Sequence, residues 1–408
     1  MRIILFILFL THAVAGQPRL QGESFESLLA KGKAEFKDQR FASAVSLLRK
    51  AVTLEPENAE AHYFLGYAYS RLNSIDGKSM IKMDLKLNIQ ASEEFEQVIQ
   101  LTPKYTEETI ILDPYSKITT EWGCMAMCYW NNNKTDSAVW AFNEGKRRGG
   151  FGKFYMAVNR SILSQCSKNA LLICSGDNLT IPLWYLQLVE GYRKDVTVIN
   201  IDLLNTIWYP QLLRSKSNVD FEQAQTRIDT MEYVALKRDS VVSVRNKYAY
   251  KYFSWILKST EDKDYLLRGD RIFLSILKAN EFESDVYFTT DFDERNRLSL
   301  KEYLSPMILL DQVNVNGKHN YSFAEYKVEL TKALELTKLV NLNSLDEHHF
   351  VEKLRYDLLF HLEEEHKLQH KSEVKQLLKL LDTYLPEKKF PYQSKETKSY
   401  VDYLKKKY

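Results

Sequence analysis

Apolar residues follow two different periods along this chain, and the change falls near Gly150. Before it, Ala44, Leu48 and Ala51, and again Ala91, Phe95 and Val98, recur at the three- and four-residue spacing of a helix face. Pro56 and Pro103 each close such a stretch. After it come two short continuous apolar runs, over residues 170–174 and 196–201, the second rich in β-branched residues. Between them residues 180–190 read as a helix, with Thr180 at its cap and Pro182 in its first turn. Strands that are apolar at every position are buried on both faces, so strand, helix and strand predict a parallel pair with a right-handed crossover. Another helix starts at Trp208. The pattern predicts further strands over 241–244, 286–289 and 307–310, separated by helices over 248–257 and 271–280. From Tyr321 onward the helical period returns, with Val374, Leu377, Leu378 and Leu381 on one face before Pro386.

Self-similarity in the first part is specific. Gly32, Ala44, Ala51 and Pro56 form one unit. A second has Gly66 and Tyr69 in its first helix and Ala91, Phe95 and Pro103 in and after its second. A third has Trp122 and Tyr129, then Ala138 and Phe142. This resembles the tetratricopeptide repeat (TPR): small residues mark close helix contacts and large ones fill the groove between helices. The resemblance implies a stack whose concave surface takes a protein or peptide partner. Residues 71–90 read as a polar, Lys-rich insertion between the two helices of the second repeat, expected as a surface loop.

The expected architecture is an α-helical TPR solenoid over 17–152, a small α/β domain over 153–315 (Rossmann-like, mostly parallel sheet) and a helical, TPR-like region over 316–408. Residues 1–16 read as a signal peptide: Arg2, an apolar run over 3–10, then Ala13-Val14-Ala15 at a cleavage site. That run is too short to span a bilayer, and no later apolar run is long enough, so the mature chain is expected to be exported without a transmembrane span. Its 14 Gly and 9 Pro are few for 408 residues, which suits a largely helical chain. The net charge of +2 excludes a general attraction to nucleic acid. Locally, the tail over 387–408 has seven Lys and three acids, the pattern of a solvated tail.

Within the α/β part, residues 176–187 (Gly-Asp-Asn-Leu-Thr-Ile-Pro-Leu-Trp-Tyr-Leu-Gln) are similar to a GDNDTFPLWYLQ signature. Residues 189–193 and 203–209, and more weakly 270–277 with 285–288, extend the similarity. These motifs resemble the soluble C-terminal region of a bacterial membrane-protein family of unknown function, whose membrane half looks like protein O-mannosyltransferases. The resemblance spans about 160–313 and implies an extracytoplasmic α/β module, periplasmic or secreted in a Gram-negative envelope, associated with envelope components. The membrane half is absent here, and two of the family's carboxylates are replaced by Leu179 and Ile207. An enzyme activity therefore does not carry over.

Candidate chemistry is sparse. Ligands of open α/β sheets bind beyond the carboxyl ends of strands, and Asp177, Asn178, Asp202 and Asn205 fall there. Two carboxylates with two amides suit a cation or a polyol. The same residues also read as turn and capping residues, Asp177 and Asn178 for the helix near Thr180 and Asn205 for the next. The second reading is preferred, giving an interaction scaffold or accessory subunit with a non-catalytic module. The alternative is a glycan-binding or glycosyl-transfer component. No phosphate-binding Gly-rich motif is present, and neither a catalytic residue, a cofactor nor a metal is expected. Cys124 and Cys128 share a helix face and read as buried small apolar residues; Cys166 and Cys174 flank a strand and leave a disulfide open. His366 and His370, with His361 nearby, read as a solvated helix face. Asn133, Asn159, Asn178 and Asn320 lie in glycosylation sequons.

Overall fold

The computed structural model describes residues 23–260, 263–290, 292, 296–316 and 321–408. The signal-peptide segment and Asn320 lie outside the described residues.

Three helix pairs form the N-terminal stack: α1 (Phe25–Lys37) with α2 (Phe41–Leu54), α3 (Ala59–Asn73) with α4 (Leu85–Leu101), and α5 (Pro114–Asn131) with α6 (Thr135–Arg147). Ser24, Asn58, Asp84 and Asp113 each accept a backbone N–H in the first turn of α1, α3, α4 and α5. Ala44, Ala51, Tyr69, Ala91, Ala138, Phe95, Phe142 and Trp122 are buried, and Tyr129 partly. Pro56 and Pro103 sit exposed just past α2 and α4. Gly32 is required by closeness: a Cβ there would lie 2.6 Å from Leu48 Cγ. Helix α7 (Lys153–Gln165) follows the stack.

The insertion differs from its reading. It is shorter, lying between Asn73 at the end of α3 and Leu85 at the start of α4, and it is not a free surface loop. Met80 and Met83 are buried. Trp208 Nε1 donates to the Gly77 carbonyl at 2.8 Å. The Lys-rich composition hid the two methionines, which anchor the segment against the rest of the protein.

The next part holds one five-stranded sheet. Its strands are β1 (Leu171–Cys174), β2 (Thr197–Asn200), β7 (Val286–Thr289), β8 (Leu304–Met307) and β9 (Leu310–Val313), in the order β2-β1-β7-β9-β8. Strands β2, β1 and β7 are parallel, whereas β9 and β8 form an antiparallel hairpin at one edge. Helices α8 (Ile181–Leu188), α9 (Trp208–Ser217), α10 (Gln225–Asp229) and α11 (Arg268–Asn280) lie between the strands in sequence. Among the described residues there are also two small ribbons: β3 (Val234–Ala235) with β6 (Tyr265–Leu266), and β4 (Ser240–Asn246) with β5 (Lys251–Leu257).

Two expected elements are corrected here. Residues 248–257, read as a helix, turn at Tyr250 and form β5. Phe253, Trp255 and Leu257 point inward and alternate with exposed Tyr252, Ser254 and Ile256. The outward Tyr and Ile are themselves apolar, which erased the period-2 signal. The run 307–310, read as one strand, straddles the turn between β8 and β9.

The C-terminal part is helical: α12 (Phe323–Glu335), α13 (Leu345–Lys367), α14 (Lys371–Tyr384) and α15 (Lys395–Lys407). Val374, Leu377, Leu378 and Leu381 are the buried face of α14, as their spacing predicts. The tail is not merely solvated, because α15 buries Val401 and Leu404. No helix among the described residues is long and apolar enough to cross a membrane.

Candidate functional site

The strand ends place the four predicted site residues near one another in sequence order but engage them separately. After β1, Gly176 takes a φ of +75°, and the chain turns through Asp177 to α8. Asp177 points toward the repeats, where its Oδ2 accepts from Thr120 Oγ1 of α5 at 3.1 Å. Burial pushes its carboxyl above the usual range, with Lys117 opposing. The Asn178 carbonyl accepts from Asn159 Nδ2 of α7 at 2.9 Å. Asp202 is exposed after β2 and accepts from Ser175 Oγ at 2.7 Å.

The capping readings are corrected in detail. Thr180 makes no side-chain cap for α8. It is buried beneath the strand ends, where its Oγ1 donates to Cys174 Sγ and accepts from Asn200 Nδ2 at 3.0 Å. Thr206, not Asn205, accepts from the Tyr209 N–H in the first turn of α9, at 3.3 Å. Asn205 Oδ1 instead accepts from the Gly269 N–H in the first turn of α11 at 2.8 Å, while its Nδ2 donates to the Asp202 carbonyl at 3.1 Å. Leu179 is covered, whereas Ile207 is 56% exposed.

Beside Asp177, the inner face of the repeats carries a buried ion pair absent from the sequence reading. Lys117 Nζ lies 2.6 Å from Glu121 Oε1, one turn apart on α5. Ser70 Oγ of α3 donates to the same Glu121 oxygen at 2.6 Å and accepts from Lys117 at 3.0 Å. The Lys117 ammonium also lies 4.6 Å from the Tyr67 ring centroid. Each charge is thus met by a counter-charge and a hydroxyl, as burial demands.

The concave surface between the first helices of the repeats is occupied by the chain itself. The connection between α4 and α5 folds back across α3. Tyr63 Oη accepts from the Ile110 N–H at 3.0 Å and donates to the Leu112 carbonyl at 2.8 Å. Tyr67 Oη accepts from the Leu112 N–H at 2.8 Å. Tyr105 stacks on Tyr63 at 4.6 Å, and Lys33 of α1 pairs with Glu108 at 2.5 Å. Two signals mark this in the sequence: Tyr63 and Tyr67 one turn apart, and a connection from Leu101 to Pro114 far longer than a repeat turn needs.

The remaining candidates make contacts within the chain. All four cysteines are free, and burial pushes the thiols of Cys166 and Cys174 up to about 12. His361 stacks on Tyr326, His366 meets Tyr408 Oη at 2.8 Å, and His370 meets Glu365 at 2.7 Å. Among the described residues no group of three or more His, Cys, Asp or Glu is arranged to hold a metal.

The chain joins helical repeats to a mixed α/β sheet, and the comparisons match a part of each. Residues 32–73 match the TPR repeat family model. Residues 156–262 match the model described as TMEM260-associated domain 2, a stretch that begins within α7 and runs through β1, α8, β2, α9, α10 and β3 to the β4–β5 ribbon. No curated protein matches the chain.

Proposed function

We propose that this protein is an extracytoplasmic interaction scaffold or accessory subunit, exported to the periplasm or secreted, in which the α/β module is non-catalytic. The supporting observation is the strand-end geometry. Asp177 is bonded to the repeats, Asp202 to Ser175, and Asn205 to α11, so each polar group serves a joint between elements. The TPR match adds a protein-binding role. The test is chemical cross-linking and affinity capture with the tagged full chain in its native envelope fraction. A stoichiometric protein partner is expected; a monomeric chain at all concentrations would count against the scaffold.

A second reading, a glycan-binding or glycosyl-transfer component, is favoured by the match to TMEM260-associated domain 2. It requires Asp177 and Asp202 to hold a cation or a sugar. Calorimetric titration with Ca²⁺, Mg²⁺, Mn²⁺ and Zn²⁺ decides between them. A one-to-one site that vanishes in Asp177→Ala or Asp202→Ala would put this reading first.

A further inference from the structure

Residues 105–112 cover Tyr63 and Tyr67 on the concave face of the repeats, which leaves less of that face for a partner. One open concavity is shared by parts of the chain far apart in sequence. It runs between α7, the loop after α8 and the helical turn after α12, and has a volume of about 740 Å³. Its floor is aliphatic: Met156 and Ala157 from α7, Leu336 and Leu339 from the other side, with Leu339 44% exposed. Its rim carries Lys146, Lys153, Arg160 and Lys332 against one lining carboxylate, Glu190. Arg160 pairs with Glu190 and stacks over Tyr192 at 4.8 Å. Lys146 donates to Tyr185 Oη at 3.2 Å, and Lys332 lies 2.7 Å from Glu329 on its own helix.

Single exposed lysines are ordinary solvated charges, but here four cations meet only two carboxylates, Glu190 and Glu329, so Lys146 and Lys153 leave the rim of a half-exposed aliphatic floor net positive, which is complementary to one kind of ligand. Its aliphatic groups would leave water on the floor, and its carboxylates would meet the rim. The volume is on the scale of a ligand site. We propose that this groove docks an acidic, amphipathic peptide segment of a partner protein. The inference rests on the interaction reading above and names the chemistry of the partner.

The probe is a fluorescein-labelled twelve-residue peptide of Glu and Leu, titrated against the full chain and followed by anisotropy. Saturable binding is expected, weakened by salt because exposed charges are screened. In Lys153→Glu/Lys332→Glu, and separately in Leu339→Asp, the affinity should fall about tenfold or more. Lys153 is the first residue of α7, where a carboxylate suits the helix dipole, and Lys332→Glu gives up its pair with Glu329, so thermal melting verifies that the charge variant is folded before titration; Leu339→Asp is an independent second variant. The proposal is overturned by an absence of saturable binding, by equal binding in wild type and both variants, or by equal binding of a Lys-and-Leu peptide. Co-sedimentation with phosphatidylglycerol vesicles that these variants abolish, without peptide binding, would assign the groove to lipid and also overturn it. If envelope capture returns a stoichiometric partner while the peptide fails, only this groove falls and the scaffold stands.

Discussion

At the scale of single residues, the buried Lys117–Glu121 pair and the alanines of the helix contacts set the tolerances. Removing one charge of a buried pair strands the other, at a cost of about 3–5 kcal/mol, whereas replacing both by apolar residues is often neutral. Glu121→Gln should therefore lower the melting temperature strongly, and Lys117→Met/Glu121→Leu should recover most of the loss. Equal destabilisation by the single and double variants would show that the pair's charges are not what matters. Ala138 is 1% exposed where α6 meets its neighbours. Ala138→Leu should overpack that contact by about 1–3 kcal/mol, read as a lower denaturation midpoint. Neither alanine spacing nor residue type revealed Lys117 and Glu121 as a buried pair. Charges one turn apart read as a solvated helix face unless the neighbouring helix is known to cover them.

At the scale of elements, the insertion between α3 and α4 is the informative case. Its lysines marked it as exposed, yet Met80, Met83 and the Gly77 carbonyl bind it to the body of the protein. Trp208→Phe keeps an aromatic ring but removes the indole N–H that bonds Gly77, a loss of about 1 kcal/mol to which the smaller phenyl adds a packing cost. Amide exchange over residues 74–84 should speed up in that variant while α3 and α4 stay protected; unchanged exchange would mean the segment is held by packing alone. The β4–β5 ribbon shows the converse difficulty. Its inner residues Phe253, Trp255 and Leu257 and its exposed Tyr252 and Ile256 are all apolar, so only the pairing with β4 reveals the strand.

At the scale of the molecule, the repeats and the C-terminal helices are joined at two helix starts. Asp113, the cap of α5, accepts from Ser344 Oγ at 2.5 Å and from the Asp346 N–H at 3.1 Å, and Asp346 accepts from the Asp113 N–H at 2.9 Å. Glu347 is buried beside them and accepts from the Asn341 N–H at 2.6 Å. Burial pushes the Glu347 carboxyl up to about 7 and raises Asp346, with the Asp113 charge adding to the latter. A carboxyl raised on folding binds its proton more tightly in the native state, so its contribution is present below the unfolded value near 4.3 and is lost as pH rises through about 7. The melting temperature should therefore fall across that window, and Glu347→Gln should flatten the fall. A wild-type profile identical to that of Glu347→Gln would remove Glu347 as a source of the pH dependence.

What the sequence determined alone is whatever depends on local period and residue size. This covers the repeat helices with their small contact residues, the strands β1, β2 and β7, and the buried face of α14, all of which carry strong nearest-neighbour signals. What the tertiary structure decided is whatever depends on which surfaces meet. Capping residues illustrate this: Asn205 lies three residues before α9 but serves α11, because its partner is chosen by proximity in space. The same holds for the concave face, which residue spacing marks as a groove but which the α4–α5 connection fills through the hydroxyls of Tyr63 and Tyr67. A side chain's type limits the bonds it can form, while long-range packing selects among them, and no local pattern encodes that selection.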